Sequence, residues 1–266
     1  MVKEELFVLS LPYAGNKDRT IRVFVPEHEK GEAMPVIYMT DGQNLFEDDT
    51  VVFGCWYTRE AVRAETVATG RKAVIVGIHN DGDPLERTIE LMPKSMGSLV
   101  LPPDIPEELK GDYTPLGEVF DDFVINTVMP AVEKQFPVKE GRKYTAFCGS
   151  SSGGLESFFT ALSHPDKFSA AGVFSPVYLM YDKGELESWI RGKVKSADEF
   201  PFLYMYMGGG DDLERQLYPD FEWVSSILED CAPSASLKKV YSPENVHNEG
   251  AWETSFKDLL HIFLSQ

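Results

Sequence analysis

Cysteine is scarce in this chain of 266 residues: Cys55, Cys148 and Cys231 are widely spaced and odd in number, which argues against a disulfide framework and a cysteine-rich zinc site. Positive charge is scarce too. Lys and Arg total 25 against 43 Asp and Glu, and the formal charge of −18 repels nucleic acid and other polyanions at long range. Neutral or cationic small molecules are the favoured ligands. No run of about twenty apolar residues suggests a membrane span. The first residues bring Glu4 and Glu5 at once, with no apolar core, and do not read as a secretory signal. A cytoplasmic protein with no membrane partner is expected. There is no Pro/Gly/Ser linker and no internal repeat, and with 43% hydrophobic residues the chain can bury one large core, so a single domain over 1–266 is expected. Gly208-Gly209-Gly210 is followed by acids rather than Lys and Ser/Thr, which argues against a phosphate cradle. His247-Asn248-Glu249 has no partner ligands elsewhere, so neither metal nor cofactor is implied. Self-association with further copies of the chain is compatible with this composition.

What the chain does have is Gly149-Ser150-Ser151-Ser152-Gly153-Gly154, a G-x-S-x-G motif between a strand-like segment, 143–148, and a helix-like one, 155–163. In a nucleophile elbow the serine tips a strained strand-to-helix turn, and only small residues two before and two after it let the backbone pass so close. Gly149 and Gly153 fill those slots and select Ser151. A serine needs a histidine base and an acid to orient it. In this arrangement the order along the chain is Ser, then Asp or Glu, then His. Of five histidines, three follow Ser151. His164 ends the helix that leaves the elbow, and His261 sits in an apolar-periodic helix. His247 lies in a polar loop after the strand-like 238–241 and is the expected base. The acid should lie just past a strand between the two. Segment 202–207 is such a strand, and Asp211 is the first carboxylate after its Gly-rich turn. Asp212 and Glu214 are near alternatives, and Asp182 is a remote one.

Strands are predicted at 5–10, 20–25, 35–40, 73–78, 143–148, 170–175, 202–207 and 237–241. Helices are predicted at 58–65, 117–136, 155–163, 184–193, 218–231 and 252–263. The first two strands read as a hairpin, and later strands alternate with helices as a parallel sheet requires. The predicted fold is α/β, a mainly parallel eight-stranded sheet flanked by helices. Between 81 and 115, prolines prevent a long helix while Met92, Met96, Leu99, Val100 and Leu101 supply apolar surface. This loop leaves the end of strand 73–78 and is a candidate wall of the acyl or alcohol pocket.

Asp41-Gly42-Gln43 follows strand 35–40 and so lies on the same C-terminal sheet edge as the elbow. A tetrahedral intermediate needs two donors for its oxyanion, one from the residue after the nucleophile and one from this earlier loop. The backbone N–H groups of Ser152 and Gln43 are the candidates. Asp41, His79, Tyr178 and Trp252 also follow edge positions and are candidate substrate contacts.

Four segments resemble the Putative esterase family of the α/β-hydrolase superfamily: Tyr38 to Phe46, the elbow, Val173-Phe174-Ser175-Pro176, and His247-Asn248-Glu249-Gly250-Ala251-Trp252. The family includes feruloyl and acetyl-xylan esterases, enterochelin-esterase-like hydrolases and S-formylglutathione hydrolases. The resemblance implies an α/β-hydrolase fold with Ser151 as nucleophile, Asp211 as acid and His247 as base. It implies a serine carboxylic-ester hydrolase acting through an acyl-enzyme on acetyl, feruloyl or other acyl esters of carbohydrates or small molecules. Acyl transfer or thioester cleavage would use the same triad. A non-catalytic binding protein is disfavoured, because such proteins usually lose a triad member.

Overall fold

The computed structural model describes residues 1–47, 54–80, 83–100 and 114–266. Eight strands form one sheet: β1 (Glu5–Tyr13), β2 (Lys17–Val25), β3 (Val36–Met39), β4 (Val74–Ile78), β5 (Thr145–Ser150), β6 (Ala170–Phe174), β7 (Phe202–Gly208) and β8 (Leu237–Ser242). Their spatial order is β1-β2-β4-β3-β5-β6-β7-β8. β2 pairs antiparallel with both β1 and β4, and every pairing from β4 across to β8 is parallel. The sheet is therefore mixed, with the expected parallel part beginning at β4. Parallel neighbours need crossovers, and crossover helices cover both faces, which is why β5 is buried along its whole length.

Side chains alternate between two cores. Ile37, Met39, Ile75, Ala146, Cys148 and Tyr204 face α1 (Thr58–Thr69) and α8 (Glu249–Leu264), through Val62, Trp252, Phe256 and Leu260. Tyr38, Val74, Val76, Phe147, Val173 and Met205 face the opposite layer. That layer contains α3 (Gly117–Phe123), α4 (Met129–Gln135), α5 (Ser152–Ser163), α6 (Lys183–Ser196) and α7 (Asp212–Cys231). The period of two in the strands thus feeds both layers. Among the described residues no helix is long and apolar enough to cross a membrane.

Three departures from the sequence reading have local causes. The helix predicted over 117–136 contains a π-helical turn, Val124–Val128, just before Pro130. Pro130 has no N–H to donate to the carbonyl four residues back and its ring crowds that carbonyl, so the run widens ahead of it. The helix predicted from 218 instead begins at Asp212, because Asp211 caps it: the Asp211 side chain accepts the Glu214 N–H at 2.8 Å. Third, the segment predicted as irregular from 81 contains α2 (Pro84–Glu90). Asp83 caps it through the N–H groups of Leu85 and Glu86, and Pro84 occupies the first turn, where a missing N–H costs nothing. The segment then packs on the body, with the Tyr181 hydroxyl donating to Pro93 O at 2.6 Å and Leu99 pairing with Tyr181. Leu101, Pro102, Pro103 and Pro106, part of the candidate pocket wall, lie outside the described residues.

Candidate active site

Backbone strain marks the C-terminal edge of the sheet. Among the described residues the non-glycines with positive φ are Asp41, Tyr57, Ser151 and Ser175, and three of these lie just past the ends of β3, β5 and β6. Such conformations persist only where the surroundings over-determine them, and they cluster at functional sites. Ser151 has φ 57° and ψ −125°, donates its N–H to Phe174 O at 2.9 Å, and starts α5. The flanking glycines have a measurable reason to be there. A Cβ on Gly149 or Gly153 would lie 2.4 or 2.2 Å from Thr40 Oγ1, and one on Gly154 would lie 2.5 Å from Phe174 O. Ser152, first in α5, has an N–H with no intrahelical acceptor.

The loop from β3 is pressed against this turn. Thr40 N–H donates to Cys148 O at 3.1 Å, Gln43 sits in the 3₁₀ turn Gly42–Asn44, and Gly42 packs on β4 where a Cβ would meet Gly77 C at 2.4 Å. Asp41, in the left-handed region, is buried and fully engaged. Arg87 of α2 donates Nε–H to its Oδ1 at 2.5 Å and Nη2–H to its Oδ2 at 2.6 Å, and Asn80 and Thr40 add two more donors. Burial opposes charge on Asp41, but the Arg87 guanidinium and these donors outweigh it and hold the carboxyl below the usual range. Asp41 is therefore placed as a brace whose carboxylate is already occupied, not as the substrate contact expected for it.

On the other side of the edge another carboxylate stands beside the imidazole than the one expected, Asp211. The Asp211 carboxylate accepts two backbone N–H groups, Glu214 at 2.8 Å and His247 at 2.7 Å. Burial opposes its ionisation, and the two amides with the nearby His247 and Arg215 side chains keep it low. The carboxylate at the ring is Glu214: its Oε1 lies 3.2 Å from His247 Nδ1, close but off the line of a hydrogen bond. Glu214 is fully buried. Ser175 Oγ–H donates to Oε1 at 2.6 Å, Gly208 N–H donates to Oε2 at 3.2 Å, and Trp252 Nε1–H donates to Ser175 Oγ at 3.0 Å. The Trp252 ring stands edge-on to the imidazole, centroids 5.1 Å apart. The Gly208–Gly210 run serves this side by close approach, since Cβ atoms on Gly208 and Gly210 would lie 2.5 and 2.4 Å from Asn245 O and Glu244 O.

The remaining candidates are placed as follows. Asp212 is exposed and pairs with Arg215 within its own helix turn, and Asp182 caps α6 through the Glu185 N–H. Tyr178 is buried against Phe158, in the core and not on an open wall, and its hydroxyl has no partner among the described residues. Trp252 is buried with its N–H already committed. His79 is half-buried at the end of β4, and burial, with Arg22 and Arg19 nearby, pushes its imidazole down to about 4, so it is neutral at neutral pH. His164 bonds Asp121 and His261 bonds Glu65, both away from the elbow's start. Among the described residues no group of three or more His, Cys, Asp or Glu side chains is arranged to hold a metal ion.

Arg87, Ser175 and Glu249 also belong to this edge, although the sequence reading assigned none of them a site role; Glu249 Oε1 accepts Asn44 Nδ2–H at 2.7 Å and ties α8 to the Gln43 loop. One signal was present. Asp211-Asp212-Leu213-Glu214 has the spacing of a helix N-cap and its third residue. That spacing assigns the first carboxylate to capping, as Asp211 does for the Glu214 N–H.

A sheet of this order, with a serine on a strained turn after β5 and a histidine after β8, has the arrangement of the α/β-hydrolase fold. The chain belongs to the Putative esterase family, whose pattern residues 13–200 match. It is 24% identical over 170 residues to the uncharacterized protein YbbA of Bacillus subtilis (strain 168), a match spanning 64% of this chain and 60% of that protein. In fold it is similar to the siderophore hydrolase EstA of Aspergillus nidulans, with TM-score 0.75 and 18% identity over 97% of this chain and 94% of that one. It is also similar to an IroE-like serine hydrolase of Shewanella oneidensis, with TM-score 0.68 and 21% identity over 98% and 78% of the two chains.

Proposed function

We propose that the chain hydrolyses carboxylic esters of small molecules through an acyl-enzyme on Ser151, with His247 as base and Glu214 as the carboxylate that orients it. The observation that carries this reading is the Ser151 backbone, φ 57° and ψ −125° at a strand-to-helix turn. No ordinary helix start requires that strain. In this mechanism Ser151 Oγ attacks the ester carbonyl carbon while its proton passes to His247, and the carbonyl π electrons move onto the oxygen. The Gln43 and Ser152 N–H groups stabilise that oxyanion. Collapse expels the alcohol, which takes the proton back from His247, and water then repeats the sequence on the acyl-enzyme. Glu214 holds the tautomer with the proton on Nδ1 and stabilises the imidazolium.

Acyl esters of carbohydrates remain the substrate class favoured by the sequence resemblance, and the charge of −18 favours neutral or cationic esters over polyanions. The name of EstA adds siderophore esters to the set to be tried. The test is a screen of purified protein against p-nitrophenyl acetate, acetyl-sugar, feruloyl, siderophore-ester and glutathione-thioester substrates, with fluorophosphonate labelling and peptide mapping. Ester turnover with the label on Ser151 is expected. A label on another residue, or turnover that survives Ser151→Ala, sinks the assignment.

A further inference from the structure

Arg87 belongs to none of the acid, base and nucleophile roles, yet it makes three charge-assisted hydrogen bonds at the sheet edge. It is presented rigidly. Glu90, three residues on and so on the same helix face, is buried and held by Arg19 of β2 through Nη2–H to Oε1 at 2.5 Å and Nη1–H to Oε2 at 3.0 Å. With α2 pinned to β2 in this way, the Arg87 guanidinium reaches two separate segments. Its Nε and Nη2 clasp Asp41, the residue that turns the chain into the Gln43 loop, and the same Nη2 donates to Ser150 O at 3.2 Å, one residue before Ser151. Asp41 is held at φ 54° and ψ 46°, a conformation uncommon for a non-glycine, and Asn80 Nδ2–H bonds it at 2.5 Å.

We propose that Arg87 is a positioning residue for the oxyanion hole: it ties the Gln43 loop to the nucleophile turn and so sets the separation of the Gln43 and Ser152 N–H donors. The inference rests on the serine-esterase reading above. A planar fork is suited to the task because it bonds two segments in fixed directions, which a lysine ammonium cannot do. The hole stabilises the developing oxyanion and not the resting ester, so a misplaced donor lowers kcat and leaves ground-state binding alone.

The experiment compares wild type with Arg87→Lys, which keeps a cation beside buried Asp41, on a matched ester and thionoester pair, with folding followed by circular dichroism. Arg87→Lys is expected to lose kcat on the ester by on the order of 100-fold with KM almost unchanged, as a small misplacement of a reacting group does. The ester-to-thionoester preference should shrink by a similar factor, since sulfur is a weak acceptor and gains little from the hole. A wild-type kcat, a loss confined to KM, or an unchanged ester-to-thionoester ratio overturns the proposal. If Arg87→Lys does not fold, Asp41→Asn replaces it, with an expected kcat loss of about tenfold or more and the same narrowing of the ratio. Full kcat in that variant is equally fatal. An inactive wild type, or Ser151→Ala with wild-type turnover, overturns the serine-esterase reading itself, whereas an active, Ser151-dependent enzyme indifferent to Arg87→Lys overturns only the positioning role.

Discussion

The two sides of the catalytic edge are built from similar materials and organised differently. Both use glycines that let backbones touch, at Gly149 and Gly153 beside Thr40 and at Gly208 and Gly210 beside the loop that leads to His247. Around Ser151 the functional atom sits on the same short segment as the glycines that shape it. Around His247 the groups arrive from four segments, Ser175 after β6, Glu214 in α7, His247 after β8 and Trp252 in α8, and side-chain hydrogen bonds decide which of them meet. The first side is a local device. The second exists only when the sheet is assembled.

The largest expected effect breaks the local side. Ser151→Ala should lower kcat by roughly 10⁴ to 10⁶, as triad losses do, while Ser150→Ala and Ser152→Ala stay far closer to wild type. Steady-state kinetics on the best ester of the screen decide this, and an equal loss at either neighbour reassigns the nucleophile.

Next in size is a test of the assembled side. Glu214→Gln should cost about 10³ to 10⁴ in kcat, because the amide no longer holds the imidazole in its productive tautomer. Asp211→Asn should keep turnover within about tenfold, since asparagine is itself a good helix cap. Parallel kinetics of the two variants are sufficient. If Asp211→Asn proves the more damaging, the orienting role returns to Asp211.

A smaller effect probes how the local side is packed. Gly153→Ala should destabilise by about 1 to 3 kcal/mol through overpacking, because the new methyl lands on Thr40 Oγ1. Removing that hydroxyl with Thr40→Ala should recover part of the loss. Urea unfolding of the two single variants and the double measures the coupling, and simple additivity contradicts the packing account.

The smallest concerns a second fully buried glutamate, Glu156 in α5, which lacks the donors that surround Glu214. Among the described residues only Thr160 Oγ1 hydrogen-bonds it, at 3.4 Å, and burial followed by the charges of Asp121, Glu118 and Glu90 pushes its carboxyl well above the usual range. A raised folded value means that the folded state keeps a proton the unfolded state releases. Its contribution is therefore intact below about pH 4.3, the unfolded glutamate value, and declines as pH rises above it. Glu156→Gln should thus gain thermal stability relative to wild type, with a difference that widens between about pH 5 and 8. Thermal melts across that range check it, and a constant or shrinking difference refutes it.

The strands were legible because apolar runs of strand length, bounded by turn residues, report burial directly, and seven of the eight expected strands share most residues with β1 and β3 through β8, the other with β2. The elbow was legible for a related reason, since glycine at both flanks is a local steric requirement. Helix starts were less so. Asp83 and Asp211 are caps, and an acidic residue beside proline or glycine reads equally well as loop until the helix is seen.

By itself the sequence determined the α/β alternation and singled out Ser151 among three serines and the late His247 as candidates, each resting on periodicity, small-residue sterics or order along the chain. Only the tertiary structure set Glu214 rather than Asp211 beside the imidazole, and brought Arg87 to Asp41. Two carboxylates three residues apart at a helix start differ in direction, one turned back to amides and one turned inward. Which of them meets the imidazole depends on how α7 lies against the segments after β6 and β8, and no local pattern encodes that packing.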